Sequence, residues 1–324
     1  MRRNMAQTQP HPQTTFLYER SGSYIPRIAA VHDLCGYGKC SLTTAIPVLS
    51  AAGCDVLPVP TGLFSAHTGF KVFSQFDTTA LLHDYIAAWH DEDVTLDAIY
   101  SGFLANPEQV DIILRLYETY PSALRIVDPV MGDAGKLYAT YTPELCEAMR
   151  RLVDGADILL PNITEASILL NVPFSGEQLS LEQVDSYIEG LLGLGAKAVV
   201  LKGVRNCDTT LINCVACAAK DQKSAQQHIA RIGTEALPFS LHGTGDLFAS
   251  SVLGAIMCGC SLLDAVQFAS MFTKNAMLIS THQPSYKERG VSFEPLLGEM
   301  CDLLRAHTRA HFGDSAHVRA DAHE

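Results

Sequence analysis

The chain has 324 residues, of which 48% are hydrophobic and 18% charged, and its formal net charge is −12. This describes a globular protein able to bury a large core, and the negative balance argues against a general nucleic-acid binder or a partner of anionic membrane surfaces. No apolar run reaches the length that spans a bilayer.

Residues 1–24 are polar, rich in Gln, Thr and Pro, and without the apolar centre of a signal peptide. They are expected to form a disordered leader. One globular domain is expected over 25–306, and a loose tail over 307–324, where His307, His311, His317 and His323 lie among small polar residues. Ten cysteines without a secretion signal point to reduced thiols and a cytoplasmic location. Cys214-Val-Ala-Cys217 has ligand-like spacing, but a zinc site needs a second pair nearby and Cys207 is a poor substitute. Buried strand cysteines are the preferred reading.

Along the domain, short apolar runs alternate with longer helical patterns. Arg27–Val31, Asp55–Thr61, Ala98–Phe103, Arg125–Val130, Ile158–Asn162 and Ala198–Gly203 read as strands. Lys39–Ala52, Thr79–Asp91, Pro107–Tyr120, Pro143–Val153 and Leu181–Leu194 read as the helices between them. The alternation is that of βαβ units on a mainly parallel sheet covered on both faces. Thr209–Cys217 and Gln227–Ile232 read as a late, antiparallel β segment joined by the polar stretch Lys220–Gln227. Helices at Leu247–Cys258, Leu262–Ser280 and Phe293–Ala306 complete the chain.

Ligands of open parallel sheets gather beyond the carboxyl ends of the strands. Polar clusters are expected there: His32-Asp33, Thr61 to Thr68, Asp128 to Asp133, Asn162 to Glu165, and Lys202-Gly203. After the first strand, His32-Asp33-Leu34-Cys35-Gly36-Tyr37-Gly38-Lys39 is neither a dinucleotide fingerprint nor a Walker A loop, because Lys39 is followed by Cys40. Its glycines suit close backbone approach to a ligand that His32 or Asp33 would hydrogen-bond. A plain strand-to-helix turn is an equal reading. Asp128 and Glu165 suit a hydrated magnesium ion held against phosphates, while Asn162 or Thr164 capping a helix with Glu165 in its first turn explains the same residues. Lys202 reads as a phosphate contact or a solvated strand terminus.

The most informative segment is Gly243-Thr244-Gly245-Asp246, at the start of a helix. Its glycines permit close backbone approach, its free N–H groups form an anion site, and Asp246 can accept a proton. Anion-holding amides beside a lone carboxylate are what phosphoryl transfer to an alcohol needs. A cap by Asp246 is the plainer alternative.

Taken in order, Gly36-Tyr37-Gly38, Phe64-Ser65-Ala66-His67-Thr68-Gly69-Phe70, Asp128-Pro129-Val130-Met131-Gly132-Asp133, Asn162-Ile163-Thr164-Glu165 and Gly243-Thr244-Gly245-Asp246 resemble the pyridoxal kinases of the ribokinase superfamily over about residues 26–305. The resemblance implies a ribokinase-like three-layer α/β/α sandwich with a mainly parallel central sheet and a small β lid. It also implies ATP with Mg²⁺, a homodimer, and transfer to the 5′-hydroxymethyl group of pyridoxal, pyridoxamine or pyridoxine, with a monovalent-cation requirement left open. By matching motif, Asp246 would be the base and Gly243, Thr244 and Gly245 the anion hole; Asp128, Glu165 and Lys202 would lie around ATP and its metal, with Asp128 and Glu165 toward the metal, and His67 and Thr68 would lie on the substrate side. From their strand-end positions rather than from the resemblance, Asn162 is expected beside ATP and His32 and Asp33 beside the substrate. Asp33 in the first turn is closer to the hydroxymethylpyrimidine kinases, whereas Asp246 favours the pyridoxal kinases. A hydroxymethylpyrimidine or dual-specificity kinase and a non-catalytic pyridoxal-binding protein are the alternatives.

Overall fold

A computed structural model describes Pro12 and residues 15–21, 23–207, 209–218 and 228–308. Eleven strands occur among them: β1 (Arg27–Tyr37), β2 (Asp55–Ala66), β3 (Gln75–Asp77), β4 (Ala98–Ser101), β5 (Leu124–Val127), β6 (Gly132–Asp133), β7 (Lys136–Leu137), β8 (Ile158–Leu159), β9 (Ala198–Cys207), β10 (Thr210–Cys217) and β11 (Ala230–Glu235). The helices are α1 (Leu42–Ala51), α2 (Thr79–Asp91), α3 (Pro107–Thr119), α4 (Pro143–Arg150), α5 (Ile163–Leu170), α6 (Leu181–Gly193), α7 (Thr244–Met257), α8 (Leu262–Ser280), α9 (Tyr286–Arg289) and α10 (Leu297–Thr308).

Nine strands form one sheet in the order β11-β10-β9-β8-β5-β4-β1-β2-β3, and β6 and β7 form a separate antiparallel pair. The run from β9 to β2 is parallel; β10, β11 and β3 are antiparallel additions at the two edges. Period-2 alternation sends successive strand residues to opposite faces, and each face has its own core. Ala29, Val31, Ile99 and Val127 pack toward α2 to α6. Ile28, Ala98, Tyr100 and Ile126 pack toward α1, α7, α8 and α10. Helix α7 is buried from Leu247 to Met257. The fold is the expected α/β sandwich with a mainly parallel sheet.

Several boundaries differ from the sequence reading, among them the late strand, found at Ala230–Glu235 rather than Gln227–Ile232; three have a clear physical reason. β1 does not turn at His32-Asp33: it runs on through a register shift between His32 and Leu34, pairing Leu34 with Leu63, Cys35 with Phe64 and Tyr37 with Ala66. β2 is extended in step, and Phe64, Leu63 and Gly62 pair antiparallel with β3, which the sequence pattern does not reveal. Helix α1 starts at Leu42 rather than Lys39 because Ser41 has φ 52° and ψ −131°, which no helix accommodates. Part of the expected leader is docked: Leu17 and Tyr18 pack on the core, and Arg20 donates to the carbonyls of Ala52, Gly53 and Met257. Residues 1–11, the whole polar connection 220–227, and the tail beyond Thr308 lie outside the described residues.

Candidate active site

The carboxyl ends of the strands and the start of α7 enclose a cavity of about 450 Å³. Its lining includes Asp128, Asn162, Glu165, Lys202 and the whole of Gly243 to Asp246. Residues from four separate stretches of sequence thus converge on one space, as the strand-end argument requires.

The turn before α7 is built by its glycines. Gly243 is the N-cap residue with φ 79°, a conformation available to glycine without a Cβ penalty. A Cβ there would lie 1.8 Å from the Lys39 carbonyl oxygen. Gly245 is different: the nearest atom to an added Cβ is Lys202 Nζ at 4.0 Å. The first glycine is demanded by the fold, the second leaves room beside a cation. The Thr244 hydroxyl donates to Leu241 O at 3.0 Å and fixes the entry to the helix.

Asp246, in the first turn of α7, is half-buried. Desolvation pushes its carboxyl up to about 7; a hydrogen bond from the Ser41 backbone N–H opposes this, the Asp128 and Asp33 carboxylates add to it, and Lys202 opposes it. A carboxyl poised there suits a general base working near neutrality.

Lys202, at the parallel bridge to Asn162, gives Nζ to Asp128 Oδ1 at 2.7 Å. Burial alone would lower its pKa, but Asp128 and Glu165 outweigh that and hold the ammonium charged. Burial raises the Asp128 carboxyl against the pull of Lys202. Asp128 Oδ2 is buried and has no partner, an acceptor left open toward a donor or cation that a ligand would bring.

Glu165 and Asn162 form a full capping box at the start of α5. Glu165 Oε2 accepts the Asn162 N–H at 2.7 Å and Oε1 accepts the Met131 N–H at 3.4 Å. Asn162 Nδ2 donates to Gly132 O at 2.9 Å. The capping reading of these residues therefore holds, and it places Glu165 at the cavity rather than away from it. Burial pushes Glu165 up to about 8, with Lys202 lowering it and Asp128 raising it.

The other candidates do not line this cavity. His32 lies inside β1, fully buried and edge-on to Tyr100 at 4.3 Å, with neither ring nitrogen hydrogen-bonded. Burial lowers its pKa to about 3, so it is neutral. Asp33 Oδ1 accepts from the Ser41 hydroxyl at 2.5 Å, so Ser41 links Asp33 to Asp246. His67 Nδ1 accepts the Gly69 N–H at 3.1 Å, which leaves Nε2 to donate to Glu288 O at 2.9 Å and fixes the neutral tautomer. Burial, and then His242, hold its pKa down. Its ring packs on His242 at 4.3 Å and on Phe70 at 4.5 Å. Thr68 is exposed in the turn that follows.

Sequence reasoning missed Ser41, His242 and the α9 segment. That segment ties the turns together: Lys39 N donates to Arg289 O at 3.0 Å, Val291 N to His242 O at 3.0 Å, and Lys39 Nζ pairs with Glu294. The available signal was Gly290, which ends α9 at φ 89° after a basic last turn.

Known proteins share this fold. A pyridoxine/pyridoxal/pyridoxamine kinase of Bordetella avium is 30% identical over 265 residues, 77% of this chain and 84% of that protein. A pyridoxal kinase of Rubrobacter xylanophilus is 28% identical over 255 residues, 75% of this chain and 83% of that one. Among solved structures, a Bacteroides thetaiotaomicron protein assigned as a phosphomethylpyrimidine kinase and crystallised with pyridoxal superposes with a TM-score of 0.80 at 32% identity, over 86% of this chain and 96% of that one. Pyridoxal kinase from Lactobacillus plantarum gives 0.77 at 28% identity, over 88% and 99%. With the family model matching from residue 44 to residue 290, the chain belongs to the phosphomethylpyrimidine kinase family.

Proposed function

We propose that this protein transfers the γ-phosphoryl group of ATP to the 5′-hydroxymethyl group of pyridoxal, pyridoxamine or pyridoxine. The observation that carries the reading is the convergence on one cavity of a carboxyl poised near 7, Asp246, the glycine amides of residues 243–245, and the Asp128–Lys202 pair. Relatives named for vitamin B6 phosphorylation, including the Bordetella avium kinase, support the substrate class.

Asp246 orients the substrate hydroxyl and takes its proton. The transition state of phosphoryl transfer is loose, so the proton leaves late and a carboxylate is basic enough. The amides at the start of α7 hold the charge of the transferred group. Lys202 and Asn162 lie where ATP phosphates would sit. Asp128, with an open acceptor atom, and Glu165 fit the hydrated Mg²⁺ that accompanies ATP, which when bound neutralises phosphate charge. His67, Thr68 and Asp33 act on the substrate side, Asp33 through Ser41.

A homodimer is part of the proposal. Leu34, Leu63 and Phe76 are successive cross-strand neighbours and are 38%, 42% and 66% exposed. They make an apolar strip on the edge of the sheet that a second copy would cover. A cytoplasmic location is proposed with it; no described helix is long and apolar enough to cross a membrane.

A second reading, phosphorylation of hydroxymethylpyrimidine, is favoured by the family description and by a thiamine biosynthetic bifunctional enzyme of Arabidopsis thaliana, 29% identical over 185 residues. The deciding assay incubates the protein with Mg-ATP and each B6 vitamer or hydroxymethylpyrimidine, and measures ADP and phosphorylated product. A phosphorylated vitamer, lost in Asp246→Asn, is the expected result. Product from the pyrimidine alone moves the chain to thiamine chemistry, and binding without ATP consumption makes it a pyridoxal-binding protein.

A further inference from the structure

A second group of ligand-type atoms lies outside the cavity lining. Cys35 Sγ donates to Asp33 Oδ2 at 3.1 Å, and Cys40 Sγ donates to Cys35 Sγ at 3.2 Å. All three donor atoms fall within 4.8 Å of one another. The extended end of β1 supplies Asp33 and Cys35, and the turn before α1 supplies Cys40. Asp33 and Cys35 are buried; Cys40, half-buried, is the member that meets solvent.

We propose that Asp33, Cys35 and Cys40 form a binding site for a thiophilic divalent cation such as Zn²⁺, and that its occupancy slows the enzyme. The donor set decides the class of ion: two thiols and one carboxylate suit a borderline-soft cation and are foreign to Mg²⁺, which takes oxygen. Thiolates at about 2.3 Å from a tetrahedral zinc ion lie about 3.8 Å apart, so the two sulfurs, now 3.2 Å apart, need to separate by only about half an ångström. A disulfide of about 2.05 Å would draw them together by more than an ångström. The fourth position falls to water from the Cys40 side, the pattern of three protein ligands and one open place.

Charge balance favours the exchange. Two neutral thiols and one carboxylate carry −1; two thiolates, one carboxylate and M²⁺ also carry −1, with two protons released to solvent. No net charge is added to a buried site, and affinity rises with pH because protons compete for the sulfurs. The link to catalysis runs through Ser41, whose hydroxyl is bound to Asp33 Oδ1 and whose backbone N–H acts on the Asp246 carboxyl. Drawing Asp33 toward a cation disturbs the residue that orients the proposed base. Cation binding stands independently of the kinase reading; the effect on turnover rests on it.

The test uses the reduced, desalted full chain without Mg²⁺. Titration with Cd²⁺ alone should give a thiolate-to-cadmium ultraviolet band saturating at one equivalent, displaced by Zn²⁺. X-ray absorption of the one-equivalent Zn²⁺ complex should show two sulfur and two oxygen scatterers. Cys35→Ser and Cys40→Ser should each weaken binding at least ~10-fold, the lower end of what even an outer-shell change costs a metal site, while Cys214→Ser leaves it intact. A shell without sulfur, or a band that survives Cys35→Ser and disappears in Cys214→Ser, overturns the site, and the absorption result on the unmodified protein decides the matter if a serine variant does not fold. One equivalent of Zn²⁺ should then lower turnover in the parent and not in Cys35→Ser, which controls for metal held by ATP. Equal turnover with the site filled overturns the coupling. A protein inactive on every substrate, yet binding through two sulfurs, would separate failure of the kinase reading from failure of the site.

Discussion

The backbone N–H of Ser41 is the strongest influence lowering the Asp246 carboxyl, and Ser41 itself takes φ 52°. A non-glycine residue held in that region costs on the order of 1–3 kcal/mol and persists where the surrounding structure over-determines it. Here the Ser41 hydroxyl is anchored on Asp33, and α1 begins at the next residue. The N–H is one of the strongest influences keeping Asp246 ionisable, because burial alone would push the carboxyl higher.

Removing the base is the most direct consequence to measure. Asp246→Asn should fold, bind ATP and lose at least ~100-fold in turnover, the usual scale for a positioned acid or base. The acidic limb of kcat/KM in the parent should fall near 7, because Asp246 works ionised and its carboxyl is pushed up to about 7. A limb in the ordinary carboxylate range, or near-normal turnover in the variant, would remove Asp246 from this role.

The same shift predicts how the free protein responds to pH. Asp246 and Glu165 are pushed up to about 7 and about 8, so the folded state holds their protons more tightly than the unfolded chain does. Between the unfolded carboxyl value near 4 and these folded values, the unfolded state has shed protons that the folded state keeps, and stability contributed by these groups falls as pH rises. Asp246→Asn should therefore raise the Tm of the ligand-free protein at pH 8 and leave it nearly unchanged at pH 4. Equal Tm differences at both values would show that the carboxyl is not strained by its surroundings.

Glu165 separates two roles for one residue. Its oxygens cap α5 and hold the Met131 N–H, while its carboxyl faces Lys202 and Asp128. Glu165→Gln can keep one accepted N–H but cannot ionise to meet a magnesium ion, so the Mg²⁺ concentration for half-maximal activity should rise several-fold with a modest loss of stability, about 1 kcal/mol for a weakened cap. An unchanged magnesium titration would confine Glu165 to its structural role.

Much of this arrangement was legible in the chain. The boundaries of α2 and α8 coincide with their apolar periodicity, and Asn106-Pro107 and Ser261 carry the cap signals that begin α3 and α8. The cavity group was legible because every member sits at a strand end or in a glycine turn. What was hidden depends on tertiary contact. β1 and β2 outrun their apolar cores because each extension pairs with the other, and local pattern carries no trace of that pairing. His32 looked like a strand-end polar residue; the sheet continues past it and buries it against Tyr100. Ser41 was invisible because its contribution is a backbone N–H.

The two glycines of the catalytic turn make opposite demands, and substitution distinguishes them. Gly243→Ala places a methyl 1.8 Å from the Lys39 carbonyl oxygen at φ 79°, so the turn must move, and both Tm and turnover should drop. Gly245 lies within α7, at a non-positive φ, and an added Cβ meets nothing closer than Lys202 Nζ at 4.0 Å. Gly245→Ala should therefore keep the fold and gain up to ~1 kcal/mol from alanine's helix propensity. The same methyl stands where the phosphoryl group would approach the amides, so turnover should fall at least ~10-fold, the low end for disturbing an anion hole. A stabilised Gly245→Ala protein with undiminished turnover would show that the ligand does not approach these amides, and the anion-hole role of the turn would have to be given up.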